Sequence, residues 1–320
     1  MTDTLLSSRV RASLVLLLVA FIWGTTFVAQ KTAFTGGDED GSPLGPLTFT
    51  GLRFLLGALV VLPFARRETR GLGGIPASAT TLAAFALVGG VLFTASITQQ
   101  VGILGTSVTN SGFLTALYVP LVPLICLAVF RQPVRWMVWP GVVGGLAGSW
   151  FLTGGLSGSV SLSAGDGWVV LSSLFWALHV IAVGILVTRT HRPLTLAVTQ
   201  FLACGTLALA AALVFETPTV SAISGAIGEI LYAGLLSVGV AYTLQGVAQR
   251  HTPAPAAALI MSTETLFAAL AGAVVLGERL NGSQWVGASL ILASILIVEL
   301  GAALGARRQR GTPRSQALAR

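Results

Sequence analysis

Glu264 stands in the run Ser262-Thr263-Glu264-Thr265, an acid among small hydroxyl residues near the middle of an apolar stretch over roughly 253–276. An ionisable group at such depth is costly in a membrane unless it is paired or hydrated, so it is a functional candidate by default. A carboxyl there could exchange a proton in a coupling cycle or hold a cationic solute group. The competing use is structural, as the partner of Arg53. That arginine lies in the apolar run over 47–65 and could receive a solute carboxylate on its bidentate guanidinium. It could equally brace backbone carbonyls or lock helices together. Lys31 lies near the end of the first apolar run, where it can snorkel to headgroups or give a cavity a positive mouth.

Amides and aromatics extend the set. Gln30, Gln99, Gln100, Thr106, Thr109 and Asn110 concentrate towards the outer half of the apolar runs in the chain's first half. Buried amides need partners, which a wet cavity supplies, and so do contacts between helices. Trp23 and Trp176 stand at corresponding places in the two halves, with Tyr118, Tyr242 and His179 at similar depths in other runs. They could gate a cavity and stack on a ring or cation, or simply pack. His179 has no neighbouring ligand at metal-site spacing, so no metal is expected. Cys126 and Cys204 both lie in apolar stretches and read as packing residues. No phosphate-binding Gly-rich loop ending in Lys-Ser/Thr is present, and neither a nucleophile–base pair nor paired acids are evident. An enzyme and a cofactor are not expected; a passive channel or facilitator is the main alternative to a carrier.

Apolar runs must position these residues. Hydrophobic residues make up 54% of the 320 and charged residues 9%, with a mean hydropathy of +0.86. A water-soluble domain carries roughly 25% charged residues. The net charge of +7 is carried by Arg residues in short gaps between apolar runs, a membrane-topology pattern and not a nucleic-acid face. About 20 apolar residues cross a bilayer, and ten windows qualify: 11–34, 47–65, 79–101, 106–130, 135–153, 167–188, 194–215, 225–248, 253–276 and 284–303. The first reads as a retained helix, being longer than a signal-peptide core. Glycines and prolines punctuate the gaps, including Gly36, Gly37 and the stretch from Gly154 to Gly165. Trp136, Trp139 and Trp168 have the places of interfacial belt residues.

With the N-terminus inside, fifteen of the eighteen Lys and Arg fall on the cytoplasmic side and Arg279 alone falls outside. Both termini are therefore expected in the cytoplasm of a bacterial cell, with the loop Asp38-Glu39-Asp40 outside. The chain also repeats itself at an offset of 146: Ala128 to Pro133 with Trp139 and Gly141 matches Val275 to Arg279 with Trp285 and Gly287. Phe21-Ile22-Trp23-Gly24 likewise matches Leu174-Phe175-Trp176-Ala177. Five spans per unit force the second copy to cross inverted, as in many carriers. The expected organisation is an all-α integral membrane protein with one repeat over 11–153, a second over 167–303 and a basic tail over 304–320. Gly141/Gly145 and Gly144/Gly148 have the spacing for close helix contact, within the chain or in a homodimer.

The motifs together resemble the EamA family of the drug/metabolite transporter superfamily over nearly the whole chain. The resemblance rests on Trp23-Gly24-Thr25-Thr26-Phe27, Arg53-Phe54, Asn110 to Leu114 through Pro120 and Pro123, and Gly277-Glu278-Arg279-Leu280. At the end of the first repeat the family's Gly-Glu is replaced by Arg131-Gln132-Pro133. The resemblance implies ten helices around a central cavity and alternating access to it. It also implies a small-molecule substrate such as an amino acid, another metabolite or a toxic compound, exported by members of the family and imported or exchanged by some relatives.

Overall fold

The computed structural model describes residues 2–35, 43–106, 108–152, 163–275 and 282–311. These residues form helices and turns, with no strand among them. Eight helical stretches are long and apolar enough to cross a membrane, and Gly282–Val298 is a shorter apolar helix. The 15-residue helix Val138–Leu152 occupies the fifth expected window. Every sequence window thus contains helix, and among the described residues length and composition qualify eight of them as spans. The acidic loop 38–40, the glycines around 154–158, the Gly277-Glu278-Arg279-Leu280 motif and the tail beyond 311 lie outside the described residues.

The long helices are α1 (Thr2–Thr35), α2 (Pro46–Gly71), α3 (Ala79–Leu104), α7 (Ala164–Thr190) and α8 (Pro193–Phe215). Helix α6 is Val138–Leu152, and α14 is Gly282–Gly311. Exposed Leu, Val and Phe side chains cover their outer surfaces, as expected where lipid is the solvent.

Two spans are broken in the middle. The fourth consists of α4 (Val108–Thr115) and α5 (Tyr118–Ala128), the ninth of α12 (Ala254–Met261) and α13 (Glu264–Val275). Around the first break Leu117 N donates to Leu114 O at 3.3 Å and Val119 N to Ala116 O at 3.0 Å. Around the second, Thr263 N donates to Ile260 O and Thr265 N to Ser262 O, both at 3.2 Å. Such i→i+3 bonds tighten the helix and free carbonyls of the regular ladder. Pro120 contributes at the first break by lacking a donor. At the second, Ser262 Oγ bonds Leu259 O and Thr263 Oγ1 bonds Ile260 O, each at 2.7 Å. The hydroxyls that flank Glu264 are thus spent on the backbone. The eighth span is irregular too: α9 (Val220–Gly225) and α10 (Ile227–Tyr232) lead into a π-helical segment, Ala233–Tyr242, before α11 (Thr243–Gln249).

Helices α2 and α8 lie antiparallel, and each closes the other's end. Both begin Pro-Leu-Thr, and neither has a capping side chain of its own. Glu216, just past α8, accepts from Leu47 N at 2.7 Å, Thr48 N at 2.9 Å and Thr48 Oγ1 at 2.6 Å. Glu68, near the end of α2, accepts from Leu194 N at 3.0 Å, Thr195 N at 2.9 Å and Thr195 Oγ1 at 2.6 Å. Helix N-termini leave donors unpaired, and here a distant carboxylate satisfies them.

The glycine-rich row of α6 packs inside the chain. A Cβ on Gly148 would stand 2.7 Å from Gly287 O and 2.9 Å from Ile291 N, both on α14. Thr106, a candidate cavity residue by sequence, instead donates to Asp166 Oδ1 at 2.5 Å. Asp166 forms the capping box of α7 with Ser163, so this hydroxyl ties α3 to α7.

Candidate functional site

The position of α1 follows from Gly24. A Cβ there would stand 2.6 Å from Phe267 Cβ, 2.7 Å from Glu264 O and 2.8 Å from Ala268 N. Only a glycine lets α1 lie this close to α13, which sets Trp23 and Glu264 side by side on one cavity. Phe21 adds an edge-on contact to Phe267 with centroids 5.3 Å apart.

The cavity holds about 50 Å³, and Trp23, Arg53, Trp176, His179, Tyr242 and Glu264 are among the side chains lining it. Tyr242 is the hub of its aromatic wall. Its ring centroid lies 4.7 Å from Trp23, 5.7 Å from Phe54 and 5.9 Å from His179. It also stacks on Trp176 at 6.3 Å with an interplanar angle of 21°. Tyr242 ends the π-helical segment, whose altered register brings the ring to this point; π-bulges are frequent at functional sites.

Arg53 is fully packed, without an acid beside it. Its guanidinium lies 5.3 Å from the centroid of Phe49 and 5.0 Å from that of Phe54. With the Gln100 amide turned to match its neighbours, its oxygen accepts from Arg53 Nη2 at 2.8 Å and its nitrogen donates to Pro46 O at 3.2 Å. The expected structural pairing of Arg53 with Glu264 therefore gives way to a brace by Gln100. Glu264 is 6% exposed, its carboxylate facing the cavity.

Five buried polar atoms on cavity-lining side chains have no hydrogen-bond partner: Gln30 Oε1, Arg53 Nε, Trp176 Nε1, His179 Nδ1 and Gln245 Oε1. Buried polar atoms in proteins are nearly always bonded. His179 Nε2 faces Gln200 Oε1 at 3.0 Å. That assigns the ring proton to Nε2 and leaves Nδ1 as an acceptor. Gln99 Nε2 donates to Thr115 Oγ1 at 2.9 Å. Tyr118 OH donates to Ala258 O at 3.3 Å, and Trp23 Nε1 to Ser237 O at 3.4 Å. The wall thus combines π faces, unpaired donors and acceptors, and one carboxylate.

A second cavity of about 450 Å³ opens at the end of the bundle where α5, α7 and α11 terminate. Gln245 lines the first cavity and Gln249, one turn on, lines the second. Gln245 Nε2 donates to Gln249 Oε1 at 3.1 Å, and Gln249 Nε2 donates to Val180 O at 2.9 Å. This two-amide chain, fixed to α7, is part of the partition between the cavities.

Nine of the fourteen residues singled out by sequence share the first cavity: Trp23, Gln30, Arg53, Gln99, Tyr118, Trp176, His179, Tyr242 and Glu264. Gln100 sits behind the wall, bracing Arg53. The side chain of Asn110, and that of Thr109, lie outside the described residues. Lys31 is exposed and away from the cavity lining. Sequence reasoning missed Thr26, Thr115, Ser237 and Gln245. Gln245 and Gln249 had a readable signal, two amides at i, i+4 in an apolar run, whereas Ser237 depends on the π register.

Comparison with known proteins agrees with this architecture. The chain is 32% identical over 292 residues to an uncharacterized transporter of Archaeoglobus fulgidus, covering 91% of this chain and 87% of that protein. It is 26% identical over 292 residues to the uncharacterized transporter YwfM of Bacillus subtilis, covering 89% and 93%. A chain of known crystal structure shares the fold with a TM-score of 0.74 at 19% identity, over 93% of this chain and 98% of that one. The EamA-like transporter family matches residues 10–154 and again residues 163–300. With both halves matched, this multi-pass membrane protein belongs to the EamA-like transporter family.

Proposed function

We propose that the protein is a secondary carrier that moves a small organic solute across the bacterial plasma membrane, by alternating access and in the export direction. The observation that carries this reading is the set of five unpaired polar atoms on one buried cavity beside Glu264. A structural core would pair them; a transient ligand would do so during transport. At about 50 Å³ the cavity has water-sized room, since a water occupies about 30 Å³ in the liquid. Loading an organic solute therefore needs the surrounding helices to part.

The proposed architecture is ten spans in two inverted units, over 11–153 and 167–303, with both termini and the 304–320 tail in the cytoplasm. It is supported by the reciprocal capping of α2 and α8 and by helix breaks before Tyr118 and Glu264, at the repeat offset of 146. Broken helices at a midplane site between inverted repeats are a recurring carrier design. In this cycle Glu264 exchanges the coupling proton, Trp23, Trp176 and Tyr242 stack against the solute, and Arg53, Gln30, Gln99, Tyr118 and His179 complete the wall. Gln100 acts through Arg53. No cofactor or metal takes part, no reaction is catalysed, and the carrier is a monomer or a homodimer.

The solute is to be identified by comparing metabolites released by a deletion strain and its parent. Counterflow of that solute in proteoliposomes then tests the carrier: acceleration by solute on the opposite side is expected, and its absence favours a passive channel. A cysteine in the 36–43 loop should react with an impermeant reagent in intact cells; reaction only after lysis overturns the orientation.

A further inference from the structure

The second cavity has a chemistry unlike that of the first. Four arginines line it, Arg9 from α1, Arg135 ahead of α6, Arg189 from α7 and Arg250 after α11, together with His251 and Thr252. Among the described residues no Asp or Glu lines it. A concave surface with cations of one sign and low-dielectric walls focuses its field on the space within. Thr252 is 2% exposed and its Oγ1 is a buried atom with no partner. Inside this cationic cavity the hydroxyl offers a donor for which the described residues supply no acceptor.

Topology alone accounts for arginines at this end of the bundle, but not for their convergence. Arg66, Arg67 and Arg70, at the same end of α2, lie away from this cavity, and Arg66 and Arg70 line a separate open groove beside α8. Nor does a topological rule require a buried unpaired hydroxyl. The volume of about 450 Å³ falls in the range of small-molecule sites, which run from about 300 to 1,000 Å³.

We propose that this end cavity is an oxyanion site, taking a phosphate or carboxylate group on the arginine forks with Thr252 Oγ1 donating to the same anion. Arg recognises both groups by paired N–H donors. The site stands independently of the transport reading, because it concerns equilibrium binding at the end of the bundle. Its anion is either a free solute or the headgroup of an anionic lipid, and the test separates the two.

The full chain is reconstituted in phosphatidylcholine nanodiscs, and its unfolding midpoint is measured in inorganic phosphate against chloride at equal ionic strength. Phosphate should raise the midpoint by about 2–4 °C. Arg189→Gln, Arg250→Gln and Thr252→Val should each remove most of that rise. Arg66→Gln, at the same end but outside the cavity, should keep it. A second arm replaces part of the phosphatidylcholine by phosphatidylglycerol. A rise with this lipid and not with free phosphate, lost in the same three variants, assigns the site to a headgroup. Neither anion shifting the midpoint, or Arg66→Gln losing the rise as fully as the cavity variants, overturns the site.

Discussion

Tyr118 and Glu264 hold the same position in the two halves of the chain: each is the first residue of the helix that follows a mid-span break. Both line the central cavity, and the Tyr118 hydroxyl reaches the carbonyl of Ala258 in the other broken span at 3.3 Å. The two breaks therefore meet at one place. One half brings a phenol to that place, which stays bonded to the chain. The other brings the carboxyl of Glu264, the group to which the proton exchange proposed above is assigned.

Replacing Glu264 by Gln should separate coupling from exchange. The amide keeps the shape but cannot titrate. Flux driven by a pH gradient into proteoliposomes should fall to the level of protein-free vesicles, while solute counterflow without a gradient persists. Retained pH-driven accumulation ends the proton role of this residue. Tyr118→Phe loses one hydrogen bond and should leave gradient-driven flux within a few-fold of the parent.

Gly24 is expected to tolerate no side chain. Gly24→Ala forces a methyl onto Phe267, Glu264 and Ala268, an overpacking that costs about 1–3 kcal/mol in comparable cores. The unfolding midpoint should drop and transport should fall with it. Gly90 on α3 is the control, because a Cβ there meets no atom within 4 Å. Gly90→Ala should be neutral or slightly stabilising, in keeping with helix propensity. Equal effects of the two substitutions would show that helix packing at Gly24 is not what matters.

The paired caps of α2 and α8 give a stability prediction. Each carboxylate accepts two backbone N–H donors and one hydroxyl at the start of the opposite helix. Removing a capping side chain costs about 0.5–2 kcal/mol, and Glu68→Ala and Glu216→Ala should each lower thermal stability by that order. The caps lie at opposite ends of the pair and share no partner, so the double variant should be close to additive. Strong non-additivity, measured by thermal unfolding in one detergent, would mean that the pair responds as one coupled unit.

Much of this site was legible in sequence because polar residues are rare in an apolar chain. Trp23, Arg53, His179 and Glu264 stand out against their surroundings, and the cost of burying them argues for a shared cavity before any fold is known. What hydropathy could not supply was local register. The break before Tyr118 lies in apolar sequence and the one before Glu264 in the polar run Ser262 to Thr265, and neither is marked by hydropathy, since i→i+3 bonding alters no composition. The π register that delivers Tyr242 and Ser237 is equally silent. The alternative of an Arg53–Glu264 pair followed from charge alone, but Arg53 packs against two phenyl rings beside Gln100 and keeps its Nε unpartnered. Among the described residues, eight of the ten apolar windows qualify as spans by length and composition, and Val138–Leu152 packs its glycine row closely on α14.

The amide chain from Gln245 through Gln249 to Val180 O predicts a gate. Gln249→Leu keeps the bulk but removes both the acceptor for Gln245 and the donor to α7, so the partition between the cavities should loosen. A cysteine at Thr115, which lines the central cavity, reports on this once Cys126 and Cys204 are changed to Ser. In proteoliposomes of known orientation, an impermeant thiol reagent added at the arginine-lined end should label that cysteine faster in Gln249→Leu than in its parent. Labelling from the opposite end should not rise. Gln249→Glu still accepts from Gln245 but cannot donate to Val180 O, so it isolates the bond to α7. If it labels as slowly as the parent while Gln249→Leu is fast, the Gln245–Gln249 bond holds the gate; if both are slow, the amide chain does not close this path.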